Sequence, residues 1–197
     1  GIKEGRLDLS DAVCVFPSSK AMRLFEEHLV LEVERLIGEG KLDSAWIPPE
    51  TVTVGALPEL LYTPSMPFAS RAEEILAWRK AVRRVPGGFD ALFSDRFPKP
   101  TGFTGETEIA FLLARLYHDV ASEGLDFSSP RDKIKAKNTL PEEVGRWAVL
   151  CDVQKHYLEV LEENNLCDRQ KERLTAVEEK RCGTERQILL FGAADLN

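Results

Sequence analysis

The hydrophobic pattern opens with Ala12-Val13-Cys14-Val15-Phe16, a run in which every position is apolar. Such a run, closed by Pro17-Ser18-Ser19, predicts a strand covered on both faces and then a turn. Beyond it the period changes. Met22, Phe25, Leu29, Val33 and Leu36 recur at spacings of three and four, which predicts an amphipathic helix from residue 19 to about residue 37, stopped by Gly38 and Gly40. After Pro48-Pro49 a second β-prone run, Thr51-Val52-Thr53-Val54, is turned by Gly55-Ala56-Leu57-Pro58 into a short helix ending near Tyr62.

Only helical patterns follow for the next hundred or so residues. Ser70 and Glu73 have the spacing of a capping box, and Ala72, Ile75, Leu76 and Ala77 supply an apolar stripe ahead of Pro86-Gly87-Gly88. A Pro/Gly-rich loop is expected over residues 97–105. Ile109, Leu112, Leu113, Leu116, Tyr117 and Val120 then predict a helix with Gly124 as its C-terminal cap. Residues 128–138, polar and carrying Arg131, Lys133, Lys135 and Lys137, read as a loop. Thr139-Leu140-Pro141-Glu142 offers a second capping box, opening a long helix whose face is marked by Trp147, Cys151, Gln154, Leu158 and Leu161. Asp168 is placed to cap one more helix, expected to end near Gly183. The final apolar run, Gln187-Ile188-Leu189-Leu190-Phe191-Gly192, reads as a buried-type strand.

Two strand–helix units, a block of helices and a returning strand predict an α/β chain: a parallel sheet interrupted by a helical insertion. The expected division is a core over residues 1–66, an insertion over 67–183 and a core strand over 184–197. Three strands make a thin sheet with exposed edges, so the expectation is a piece of a longer polypeptide.

Composition narrows the function classes. The chain has 197 residues, 43% of them hydrophobic and 30% charged, which suits a packed core. No run approaches the roughly 18 apolar residues of a membrane span, and the N-terminal Gly1-Ile2-Lys3-Glu4-Gly5 lacks a signal-peptide core; the expected location is the cytoplasm. Cys14, Cys151, Cys167 and Cys182 form no Cys-x-x-Cys pair and His28, His118 and His156 lie far apart, so they read as ordinary thiols and isolated histidines, with no metal site. The net charge of −7 argues against a wholly basic nucleic-acid surface but leaves room for a local positive patch.

No phosphate-binding G-x-x-x-x-G-K-[ST], dinucleotide G-x-G-x-x-G, zinc H-E-x-x-H or nucleophile G-x-S-x-G motif occurs. The paired glutamates at 26–27, 73–74, 142–143 and 178–179 lie beside basic residues within predicted helices, the pattern of solvated faces. The turn Pro17-Ser18-Ser19-Lys20 is the best local candidate for chemistry. Hydroxyls, helix-terminal N–H groups and a lysine meet there, an arrangement that can hold a phosphate, although a plain Ser18 or Ser19 helix cap is the simpler reading.

The order of the pieces resembles the first RecA-like (P-loop) domain of superfamily I helicases of the UvrD type. In that family a strand and turn ending Phe-Thr-Asn-Lys-Ala-Ala open a helix that touches single-stranded DNA; Phe16-Pro17-Ser18-Ser19-Lys20-Ala21 stands in the matching place. Val54-Gly55-Ala56-Leu57 resembles the next motif, Gly-Thr-Phe-His, and Asn165-Leu166-Cys167-Asp168 through Leu174 resembles the family's Gly-Leu-x-Asp-Phe-x-x-Leu stretch. The family's strand Ile-Leu-Val-Asp-Glu-x-Gln-Asp-x-Asn is matched by Ile188-Leu189-Leu190-Phe191-Gly192-Ala193-Ala194-Asp195-Leu196-Asn197. Asp195 and Asn197 are retained, while Phe191 replaces the magnesium aspartate, Gly192 the water-activating glutamate and Ala194 the coupling glutamine. A retained frame with erased catalytic residues is similar to the inactivated helicase domains of AddB and RecC-type subunits of bacterial recombination nucleases.

The resemblance implies a non-catalytic helicase-like module of a DNA repair or recombination protein with no cofactor and no ATPase activity. It would bind single-stranded DNA through Ser18, Ser19 and Lys20, or dock a partner helicase-nuclease subunit. The parent protein is expected to carry a nuclease domain downstream. The competing expectation is a doubly wound small-molecule enzyme with its ligand at the strand ends near Ser18, Ser19 and Gly55.

Overall fold

A computed structural model describes residues 2–3, 6–43, 45–88, 92, 102–136 and 141–192. The chain forms two compact units: Gly1–Thr63 with Lys180–Asn197, and Pro64–Glu179. The first is mixed α/β and the second is helical.

The α/β unit is organised by a central strand whose five residues are all buried, as a continuous apolar run requires when both faces are covered. Six strands are described in this unit: β1 (Ile2–Lys3), β2 (Arg6–Asp8), β3 (Ala12–Phe16), β4 (Trp46–Ile47), β5 (Glu50–Thr53) and β6 (Gln187–Leu190). The three strands expected from the sequence lie in one parallel sheet, ordered β5-β3-β6. Helix α1 (Ser19–Gly38) makes the crossover from β3 to β5, with Val33 buried and Met22, Phe25, Leu29 and Leu36 half-buried. A 3₁₀ helix over Val54–Leu60 follows β5.

A second small sheet, β1-β2-β4, was not expected. Its strands are two or three residues long, too short for a two-residue period to show. In it β2 pairs with β4, just as β3 pairs with β5 further along the same two chain segments. Between the pairs Asp8↔Ile47 and Val13↔Glu50, four residues on one side face only Pro48 and Pro49 on the other. Prolines have no N–H to donate, so the ladder breaks there and the opposite segment turns out at Ser10-Asp11.

The last strand corrects the expectation of a buried one. Among the described residues β6 pairs only with β3 and lies at the sheet edge; Ile188, Leu189 and Leu190 are 37%, 44% and 51% exposed. An unbroken apolar run signals burial only when a neighbour covers each side, and the strand order determines that.

The helical unit contains α2 (Arg71–Arg84), α3 (Gly102–Ser122), α4 (Ser128–Ala136), α5 (Pro141–Glu163) and α6 (Arg169–Glu178). Its core gathers Trp78, Tyr117, Phe127, Val153 and Tyr157 with aliphatic residues of α2, α3 and α5. Trp78 stacks on Tyr157 with centroids 4.1 Å apart, a contact worth about 0.5–1.5 kcal/mol beyond its buried area. The Ser70–Glu73 capping box that starts α2 is formed on both sides, and Gly124 adopts φ +69° after α3, the left-handed conformation a helix-ending glycine supplies without strain.

Helical boundaries differ from expectation in several places, each for a tertiary reason. α3 begins at Gly102, inside the expected loop. Glu106 of its first turns meets Arg79 and Arg83 of α2 at 2.8 and 2.6 Å, and the Arg79 guanidinium lies 4.1 Å above the Phe103 ring. The polar segment after residue 128 is the helix α4, not a loop. Asp126 accepts the N–H groups of Ser128 and Ser129 at 2.9 and 3.2 Å, and the fully buried Phe127 anchors the entry, so capping and one anchor outweigh a weak apolar stripe. The core face of α5 is centred on Leu150, Val153, Tyr157 and Val160; Trp147, Cys151, Gln154 and Leu158 flank it, half-buried. α6 ends at Glu178, short of Gly183. The capping pair expected at Thr139 and the loop over residues 97–101 lie outside the described residues, as does Lys137.

Each unit ties its own ends together. In the helical unit Ala69 N–H donates to the Cys167 carbonyl at 3.0 Å and Cys167 N–H to the Pro67 carbonyl at 2.9 Å, while the buried Glu172 carboxylate accepts from the Ser65 N–H and hydroxyl. In the α/β unit Gly183 N–H donates to the Leu61 carbonyl at 2.7 Å. The chain therefore leaves and re-enters the α/β unit through neighbouring segments.

Candidate functional site

The C-terminal ends of β3 and β6 meet at a cluster of three aromatic rings. Phe16 ends β3, Phe25 lies two turns into α1, and Phe191 follows β6; their centroids lie 4.9–5.1 Å apart, with Phe16 and Phe191 stacked at 10° between planes. Phe191 N–H donates to the Val15 carbonyl at 2.9 Å and continues the ladder by one residue. Gly192 takes φ +61°, and a methyl group there would touch Pro17 at 3.9 Å, so the residue's freedom serves the backbone turn.

Beside this cluster the chain turns into α1 through Pro17-Ser18-Ser19-Lys20. Ser18 is the N-cap, with extended backbone (φ −154°, ψ 156°), and its hydroxyl accepts from Ala21 N–H at 3.3 Å. The structural role named for this serine in the sequence is thus occupied. Ser19 and Lys20 are exposed, and their N–H groups belong to the first turn, which has no intrahelical acceptors. At the end of β5, Thr53 precedes the 3₁₀ helix, and a methyl group on Gly55 would meet nothing within 4 Å. One strand turn earlier, the Thr51 hydroxyl donates to the Glu26 carboxylate of α1.

The β3–β6 pairing brings Gly192 against Pro17, the residue that leads into the Ser18-Ser19-Lys20 turn. Ala194 and Asp195, with Asn197, lie outside the described residues. What the strand ends offer is an apolar ring cluster beside a helix start bearing one lysine. No family model, curated protein or solved structure matches the chain.

Among the described residues no group of three or more His, Cys, Asp or Glu side chains could hold a metal ion, and no helix is long and apolar enough to cross a membrane. Cys14 and Cys167 are buried, Cys151 is half-buried and Cys182 is exposed, all as free thiols. Burial pushes the first three above the ordinary thiol range, which disfavours the nucleophilic thiolate.

The helical unit holds a polar cluster that the sequence pattern concealed. Asp168 is 6% exposed. Its carboxylate accepts from Tyr117 at 3.0 Å, from Tyr157 at 2.8 Å and from the Lys171 N–H at 2.8 Å. Burial first, then the Asp168 charge, raises both phenols above the ordinary tyrosine range. The sequence signal existed: two tyrosines interrupt otherwise aliphatic helix stripes, and a buried hydroxyl needs an acceptor. Sequence spacing could not show that both find the same aspartate.

Proposed function

We propose that this chain is a non-catalytic, helicase-like module of a DNA repair or recombination protein, which binds single-stranded DNA or holds a partner helicase-nuclease subunit. The observation that carries this reading is the stack of Phe191 on Phe16, 5.0 Å between centroids, at the end of a parallel β5-β3-β6 sheet. At the position where the helicase resemblance expects a magnesium carboxylate stands a ring packed against two others. Phosphoryl transfer requires a metal clamp and an oriented nucleophile, and an aromatic cluster provides neither. The frame remains suited to binding: an exposed Ser19 and Lys20 at a helix start can meet a phosphate through N–H groups and an ammonium.

Fluorescence anisotropy with a labelled single-stranded oligonucleotide at several salt concentrations tests this. Lys20→Ala is expected to weaken binding about equally for all sequences and to lower the log–log salt slope by roughly 0.7, the effect of one lost phosphate contact on a single strand. Unchanged affinity and slope would place the strand's path away from the sheet end. Saturable magnesium-ATP binding in a parallel calorimetric titration would remove the non-catalytic reading altogether.

A further inference from the structure

The helical unit carries a second surface with the chemistry of a nucleic-acid contact, in the cleft bounded by α2, α3 and the start of α6. Its inner part, about 220 Å³, is lined by Arg71, Arg169, His118 and Trp78 together with two carboxylates, Glu74 and Asp168. A second hollow of about 500 Å³, lined by Arg71, Phe111, Leu112, Arg115 and His118, shares Arg71 and His118 with it. Three arginines thus converge in a chain whose net charge is −7. Arg115 enters no ion pair or hydrogen bond among the described residues, and Arg71 pairs with Glu74 at 3.1 Å.

Aromatic surface stands beside these cations. Phe111 is 48% and Leu112 63% exposed. The Arg71 guanidinium lies 5.8 Å from the Phe111 centroid, and Arg169 lies 4.7 Å above the Phe68 ring. An exposed ring next to a guanidinium plane offers an unpaired base a stacking partner and its phosphate a counter-charge, the combination that single-strand binders use. The supports are rigid: Asp168 joins α3, α5 and the cap of α6 through Tyr117, Tyr157 and Lys171, so the contacting side chains project from fixed helices.

Acidic neighbours limit the ligand. Glu74 occupies one side of Arg71, and Glu108 and Asp119 are exposed one turn from Phe111 and Arg115 on α3. A duplex would bring a second row of phosphates towards the exposed Glu108 and Asp119, whereas a single strand presents one row, which Arg115 and Arg71 can meet in the second hollow, whose lining among the described residues has no carboxylate. We infer that this cleft is a single-stranded DNA contact in which a base stacks on Phe111 and the adjoining phosphates meet Arg115 and Arg71. The inference rests on the DNA-binding reading above and gives it a second site within the helical unit.

The test uses the full chain, a labelled oligothymidylate and anisotropy at low and moderate salt. Phe111→Ala is expected to weaken binding about tenfold, the usual effect of losing one stacked base. Arg115→Ala should lower the salt slope by about 0.7, and Arg115→Lys should restore most of it. Both positions are exposed, and circular dichroism melts confirm that each variant folds. Wild-type binding weakened by Lys20→Ala but unaffected by Phe111→Ala and Arg115→Ala would overturn the cleft and leave the proposed function standing. Lack of saturable binding by the wild-type chain would overturn both. Competition by duplex DNA, or by RNA of the same sequence, at equal or lower concentration would overturn the assignment to single-stranded DNA.

Discussion

Tyr157 of α5 donates its phenolic hydrogen to Asp168 at 2.8 Å, and the same carboxylate caps α6 by accepting Lys171 N–H. With Tyr117 as a further donor, one buried side chain satisfies three donors on three helices. Asp168→Ala removes an N-cap worth roughly 1 kcal/mol and strands two buried hydroxyls at about 1–3 kcal/mol each. Urea denaturation is expected to show a loss on the order of 3 kcal/mol, with Asp168→Asn losing clearly less because its amide oxygen can keep the cap. Equal stability in Asp168→Ala would mean that water satisfies the tyrosines.

The same cluster predicts alkaline sensitivity. Tyr117 and Tyr157 have folded pKa values above the ordinary 10.0, because burial and the Asp168 charge disfavour the phenolate. The unfolded chain releases these protons first as the pH rises. The stabilisation is therefore complete below pH 10.0 and is lost progressively above it. Phenolate absorbance should titrate normally for at most one of the three tyrosines until the chain unfolds. Ionisation of all three with the near-ultraviolet circular dichroism intact would contradict the buried arrangement.

Phe191→Asp places a carboxylate at the strand end and separates the consequences of sequence from those of site. The substitution removes the ring contacts with Phe16 and Phe25 and is expected to cost about 1–3 kcal/mol, the loss of a partly buried aromatic and its pairings. It should not produce magnesium-ATP binding, since no phosphate-binding loop motif exists in the chain. Thermal melts and calorimetry measure the two effects separately.

The exposed edge of β6 makes a prediction about association. Leu190 is 51% exposed on a strand that, among the described residues, has a neighbour on one side only, the arrangement that invites edge-to-edge pairing. Leu190→Lys should reduce concentration-dependent association in sedimentation velocity while changing folding stability by no more than about 0.5 kcal/mol. Identical sedimentation of the two proteins across the concentration range would show that the edge is not adhesive.

Several elements are plain in the sequence because a local cause determines them. The Ser70–Glu73 capping box, the apolar spacing of α1, the glycine after α3 and the five apolar residues of β3 each depend on neighbours within a turn or a strand. So does Ser18 as the cap of α1. The same local logic failed at α4, where Asp126 and the buried Phe127 act from outside the segment, and at the start of α3, where two arginines of α2 hold Glu106.

By itself the sequence determined the strand and helix types wherever a period ran long enough to be seen, and it brought Ser18, Ser19 and Lys20 to a strand-to-helix turn. Tertiary structure alone decided which strand lay at the edge, which aromatic rings met at the sheet end, and that Tyr117, Tyr157 and Asp168 share one buried site across 51 and 11 residues of chain. The physical reason is range. Propensity, capping and amphipathic period act over a few residues, whereas burial and hydrogen-bond partnership depend on segments that come together only when the chain closes on itself.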